Sequence, residues 1–183
     1  FAPGDPNSGA TPNAIAAAYS NNFAGANGTT LFVIDPNLNA LLTLGSVGGT
    51  PVSPNAGQLF TVGTLGVDAT GAVGFDISSA SGAAFAVFST AGNTTPQLFS
   101  INLTSGAATP IGKISGLTGG ETILDLAVGL NTPTVFATTI SNQLISFPAG
   151  APGTILSSVP ITGLVSNERI LGLDFRPATG QLF

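Results

Sequence analysis

The chain of 183 residues carries 3 basic and 8 acidic side chains and no histidine, for a formal net charge of −5. So few cations leave no electrostatic footprint for nucleic acid or an anionic membrane surface, and without histidine the commonest general base and every imidazole metal site are missing. Cysteine is absent too, which excludes disulfides, thiolate nucleophiles and thiolate-held metals.

Glycine (25) and proline (13) punctuate short runs of Val, Ile, Leu and Phe, the pattern of many short strands. FAPGDPNSGATP (1–12) reads as a loop entering a unit. PNAIAAAY (12–19) has the alanines of a helix and Pro12 placed for a first turn. Its position ahead of LFVID matches the first strand of the other units, so a strand is expected. LFVIDPNLNALLTLG (31–45) recurs 67 positions later as LFSINLTSGAATPIG (98–112). Asp35 aligns with Asn102, each able to accept a backbone hydrogen bond at the start of a turn, and Asn39 aligns with Gly106, both tolerant of positive φ. Each copy is therefore expected to form a hairpin, with Phe32, Phe85, Phe99 and Phe136 at equivalent strand positions in the core. The glycine clusters GSVGG (45–49) and GLTGGE (116–121) lack the lysine and following helix of a phosphate loop and read as linkers between blades.

A second repeat sets the period. GFDISSASGAAF (74–85) returns as GLDFRPATGQLF (172–183), and DLAVGLNTPTVF (125–136) lies between them, with Asp125 replacing the leading glycine and Ala127 the aspartate, a mean spacing of 49. In RPATG (176–180), Pro177 presets φ and Gly180 supplies a left-handed residue. A unit of about 40–50 residues made only of short strands has the length of a four-stranded propeller blade. The expected fold is all-β, with β-propeller-like repeats of four-stranded antiparallel blades. Residues 1–66 are blade 1 with a long loop, 67–117 blade 2, 118–165 blade 3 and 166–183 the start of an incomplete blade 4. That makes about three and a half blades where closed propellers have about four to eight. The missing strands are expected from further residues of the polypeptide, from a neighbouring copy or from a cyclic closure.

ILGLDFRPATGQLF (170–183), preceded by ITGL (161–164), together with GDPNSGATPNAIAAAYSNNFAG (4–25) and LGVDATGAVGFDI (65–77), resembles a bacterial family of exported domains of unknown function with propeller-like repeats. The segments stand here in permuted or tandem order relative to that family. The resemblance implies a fold and export; it carries over no functional residue.

The candidate chemistry is thin. Asp76 and Asp174 share one repeat position, so a propeller can turn both to one face, as a paired-carboxylate glycosidase requires. Repetition in register instead favours aspartates that cap turns or bond backbone within their own blades. Glu121 and Glu168 are paired in the same way at strand starts, with Glu168 and Arg169 expected as an exposed edge pair. Lys113, the single lysine, is expected on the surface in a turn. No acidic spacing matches a calcium loop. Asn27, Asn93 and Asn102 begin glycosylation triplets, which imply glycans only in a suitable host. Tyr19 is the single tyrosine and tryptophan is absent, which disfavours ring-stacking lectins.

No catalytic, cofactor-binding or metal-binding residue is assigned, and an enzyme is not expected. Low charge, rich in Thr, Ser, Asn and Gly, points to an extracellular or bacterial cell-surface protein, and no apolar run is long enough to span a membrane. The expected function is a non-catalytic structural or surface-assembly component of a layer, filament or stalk, self-associating or completed by neighbouring copies, with no nucleic-acid partner. The alternative is a ligand- or glycan-binding propeller, less readily a hydrolytic one, with its site at the central channel.

Overall fold

The short β-branched and aromatic runs form strands that gather into sheets in chain order. The structure, a computed structural model, describes residues 1–117, 121–130 and 134–183. Blade 1 comprises β1 (Ala16–Ser20), β2 (Thr30–Asp35), β3 (Ala40–Leu44) and β4 (Leu59–Thr64). Blade 2 comprises β5 (Ala69–Ile77), β6 (Ala84–Thr90), β7 (Asn93–Ile101) and β8 (Ala108–Lys113). Blade 3 comprises β9 (Ile123–Val128), β10 (Thr134–Thr139), β11 (Gln143–Pro148) and β12 (Ser157–Pro160). A two-stranded ribbon follows, β13 (Phe175–Arg176) with β14 (Gln181–Leu182). Each sheet is an antiparallel meander, and β5 packs against both β1 and β9. The chain is therefore an all-β, propeller-like stack of blades aligned on their first strands. The alanine-rich segment that invited a helix is β1, because its period-two alternation buries Ala16 and Ala18 and exposes Ala17 and Tyr19.

Strand alternation also decides what lies between blades. Val73, Phe75 and Ile77 point from β5 towards blade 1 and join Ala16, Ala18, Phe32, Ile34, Phe88 and Phe99 in one buried cluster. The opposite face of blade 2 gives Val87 and Leu98 to a second cluster with Leu126, Val128, Val135 and Phe147. Each large side chain so buried contributes about 1.5–3 kcal/mol. The far side of blade 1 is closed differently. Val33, Leu42 and Leu59 are covered by Phe1, and the N-terminal segment is tied to β4 by Ala2 N to Leu59 O and by Asp5, which accepts from Thr61 N at 2.6 Å.

The turns follow the expected chemistry. Asp35 Oδ1 accepts from Leu38 N, Asn102 Oδ1 accepts from Thr104 N and Ser105 N, and Asn39, Gly106 and Gly180 have φ of 49°, 81° and 68°. Asn39 also joins blades, its Oδ1 accepting from Ala69 N at 2.8 Å and its Nδ2 donating to Asp68 at 3.1 Å. Asn39→Ala forces a Cβ-bearing residue without a local polar partner into the left-handed region and orphans the Ala69 amide. An expected loss of about 2 kcal/mol in chemical denaturation checks this.

Three expectations are corrected. The 67-residue repeat marks hairpins, but not equivalent ones: in blade 1 it is β2–β3 and in blade 2 it is β7–β8. A turn signature reports how two strands are joined, not which strand of a blade they are. For the same reason Phe99 lies on a third strand, stacked on Phe88, while Phe32, Phe85 and Phe136 lie on second strands. The cluster at 45–49 contains a short 3₁₀ turn (Val47–Gly49) between β3 and β4, inside blade 1 rather than between blades. The cluster at 116–121 falls partly outside the described residues.

Candidate functional site

One register recurs along the inner strands. Opposite a phenylalanine on the second strand stand Ala18 (Phe32), Asp76 (Phe85), Ala127 (Phe136) and Asp174 (Phe183). These positions face forward, towards the following blade. Asp76 reaches across: its Oδ2 accepts from Val128 N on β9 at 2.6 Å, while its Oδ1 accepts from Ile77 N at 2.7 Å. Asp125 stands two residues before Ala127, hence on the same face of its strand. Its Oδ2 accepts from Leu173 N at 2.9 Å, and the amides of Leu126 and Phe75 also bond to it. Blade 3 thus lacks the aspartate at one forward position and carries it at the other. In blade 2 that other position is Gly74, whose missing Cβ lets β9 approach: a Cβ there would lie 2.8 Å from Leu126 N and 2.9 Å from Asp125 Cα.

The three carboxylates form one electrostatic group. Burial pushes Asp76 up to about 6 against the hydrogen bonds from Val128 and Ile77, and the charges of Asp174 and Asp125 push it further. Burial likewise pushes Asp125 up to about 6, with Asp174 adding to it. Asp174 is raised by desolvation, although the residue is exposed and accepts only the Phe175 amide among the described residues. No three acidic side chains among the described residues stand close enough together to hold a metal ion.

A folded-state pKa above the unfolded value means that the folded state binds the proton more tightly. This stabilising contribution is complete below about 4 and is lost as pH rises through about 6. Asp5 and Glu121 act in the opposite sense. Burial raises each, but hydrogen bonds from Thr61 and Asn7 to Asp5, and from Ser141 and Thr139 to Glu121, outweigh it and leave both lowered. Their contribution is lost as pH falls through the ordinary carboxylate range. The thermal midpoint is therefore expected to be higher near pH 5 than near pH 7.5, by a few degrees, and the difference to shrink in Asp76→Asn. Calorimetry across that range measures it.

The other candidates are dispersed. Asp76 and Asp174 are brought near one another, but Asp76 bonds across two blades rather than capping a turn in its own, because its strand position faces the neighbour. Glu121 lies in the approach to β9 and accepts from the hydroxyl and amide of Ser141. Glu168 is not at a strand start: it closes a turn by accepting from Val165 N at 2.9 Å. Lys113 is not in a turn but ends β8, exposed and opposite Gln97. Asn102 is committed to its own turn. Asp125 escaped notice in the sequence as a functional position, though the signal was present: an aspartate displaced by two residues stays on the same face of a strand.

Away from the inner strands, an open cleft of about 700 Å³ lies over blade 1, lined by Ser20, Thr30, Phe60, Thr61 and Thr104 among others. Several of its hydroxyls are already engaged: Ser20 accepts from Thr30 N, Thr30 accepts from Gly48 N, and Thr61 donates to Asp5.

Residues 1–127 and 143–183 match the family model described as Domain of unknown function (DUF4394). Among solved structures the chain is similar to one in "Crystal structure of Nidogen/Laminin Complex", at 11% identity and a TM-score of 0.47, covering 72% of this chain. The match spans 45% of that chain's length. No curated protein matches in sequence.

Proposed function

The chain belongs to the DUF4394 family of domains of unknown function, and from the geometry of its blades we propose that it is a non-catalytic structural protein of the bacterial exterior that assembles through its blade faces. The observation that carries this reading is the uneven covering of equivalent surfaces. Interfaces between consecutive blades are apolar and tightly packed, yet apolar side chains stay exposed elsewhere on the blades: Ile15 and Tyr19 at β1, Leu156 and Val159 at the outer strand β12. Exposed apolar surface of this kind marks an association site, and only 6% charged residues oppose association. Asp76 and Asp125, the best candidates for acid–base work, hold backbone amides between blades. The export that the resemblance implies, together with a composition poor in charge, supports a position outside the cell for such an assembly.

Electron microscopy of cell-surface extracts and of the purified protein tests the reading. Regular layers, filaments or stalks that label for this chain are expected; a discrete soluble particle never associated with the surface contradicts it. A second reading, a ligand-binding propeller, draws on the cleft over blade 1. It requires an added ligand to compete with hydrogen bonds that Ser20, Thr30 and Thr61 already make, so the assembly reading stands first.

A further inference from the structure

We propose that Asn27 modifies itself: the backbone nitrogen of Gly28 closes on its side-chain amide, releases ammonia and leaves a negatively charged aspartyl or isoaspartyl residue on an outer loop of blade 1. The inference stands independently of the assembly reading. Asn27 lies in the loop that joins β1 to β2. It is exposed, and among the described residues neither its side-chain amide nor the Gly28 N–H has a hydrogen-bond partner. An N–H that donates to an acceptor holds its nitrogen in place; this one is free to turn towards the neighbouring side-chain carbonyl carbon. Glycine eases the closure, since the attacking nitrogen must swing over Asn27 and no Cβ obstructs the five-membered ring. Every other asparagine precedes a residue that bears a Cβ. Several of the following amides are also spent: Ser8 N on Asp5 O, Ala56 N on Ser53 O, Gln143 N on Thr139 Oγ1 and Glu168 N on Val165 O.

In the reaction the Gly28 nitrogen gives up its proton and bonds Asn27 Cγ, the Cγ–Nδ2 bond breaks, and the departing nitrogen takes that proton and leaves as ammonia. One water then opens the cyclic imide. Opening at one carbonyl restores the main chain beside an aspartate; opening at the other threads the main chain through the former side chain and adds one methylene to it. Residues 6–34 and 36–67 hold no charged side chain, so the new carboxylate is the first charge on these loops. It arises where apolar side chains stand open: Phe23 in the same loop is 51% exposed, and Val47 in the β3–β4 connection is 71% exposed. The two connections meet at Gly28, where a Cβ would lie 3.7 Å from Gly48 O, and Asn21 Nδ2 donates to Gly28 O at 3.3 Å. With time a neutral loop surface thus becomes a charged one, a covalent change of the kind that alters local electrostatics without altering the fold.

Incubation of the purified chain in mildly alkaline buffer, followed by peptide mass mapping, tests this. The Asn27 peptide is expected to gain one mass unit and to split into an aspartyl and an isoaspartyl form at least about tenfold faster than any other asparagine peptide. The rate is expected to rise with pH, because the attacking nitrogen must lose its proton. Gly28→Ala isolates the glycine: its Cβ makes only ordinary contact with Gly48 O and its φ is not left-handed. An unchanged thermal midpoint therefore certifies the loop while the conversion slows at least about tenfold. Asn27→Asp begins with the product charge and is expected to elute from anion exchange with the aged parent chain. Conversion at Asn27 no faster than at the other asparagines, or equally fast in Gly28→Ala, overturns the proposal. So does conversion that occurs only after unfolding in denaturant, because the folded loop would then hold the Gly28 nitrogen away from the side chain.

Discussion

Gly74→Val is expected to destabilise the protein by about 3 kcal/mol, at the upper end of overpacking costs. The glycine is needed for closeness, since its Cβ would fall within 3 Å of Leu126 N, Asp125 C and Asp125 Cα, all of them backbone of the adjoining inner strand. No rotamer relieves such contacts; β5 and β9 must separate. That separation lengthens the bond from Val128 N to Asp76, so exchange of the Val128 amide with solvent should quicken more than exchange elsewhere in blade 3. Gly74→Ala acts in the same direction with a smaller cost. Gly150 is the control: no atom lies within 4 Å of its would-be Cβ and its φ is not left-handed, so Gly150→Ala should change stability by less than about 0.5 kcal/mol. Equal effects at the two sites would contradict the close approach of the inner strands.

Phe99→Ala is expected to cost about 3–5 kcal/mol, read from denaturant unfolding. Its ring is buried, 4.2 Å from Phe88 between centroids and nearly parallel to it, within the cluster that joins blades 1 and 2. Truncation removes the buried area and the stacking together and leaves a cavity walled by strands whose hydrogen bonds prevent collapse. Phe99→Leu keeps most of the volume and should lose less. Phe183→Ala, by contrast, should leave the stability of the isolated chain within about 0.5 kcal/mol, because that ring is exposed, with the Arg176 guanidinium 4.5 Å from its centroid.

The sequence made the strands legible where turn chemistry was local. Asp35, Asn39, Asn102 and Gly180 take the turn roles that their types and positions implied, although Asn39 also bonds Asp68 and Ala69 of the next blade and Asp35 the amide of Asn13. Blade period was also legible, because the segments beginning at Gly74, Asp125 and Gly172 recur at a mean spacing of 49 and fall in, or just before, the first strands β5, β9 and β13. Strand identity within a blade was not. Hairpins β2–β3 and β7–β8 share turn residues, yet only tertiary packing determines which strand lies innermost. The cross-blade bonds of Asp76 and Asp125 were hidden for a related reason: their partners are amides 52 and 48 residues away, and a backbone amide has no side-chain signature. Glu168 and Lys113 were misplaced because a charged residue beside a glycine or a strand end fits a turn and an edge equally well.

Assembly through blade faces is tested most directly by the mass of the unmodified chain as a function of concentration. Sedimentation velocity over a wide concentration series near neutral pH should show a weight-average mass that climbs continuously from that of one 17.9 kDa chain through dimers to larger species. A single monomeric boundary at every concentration would contradict it.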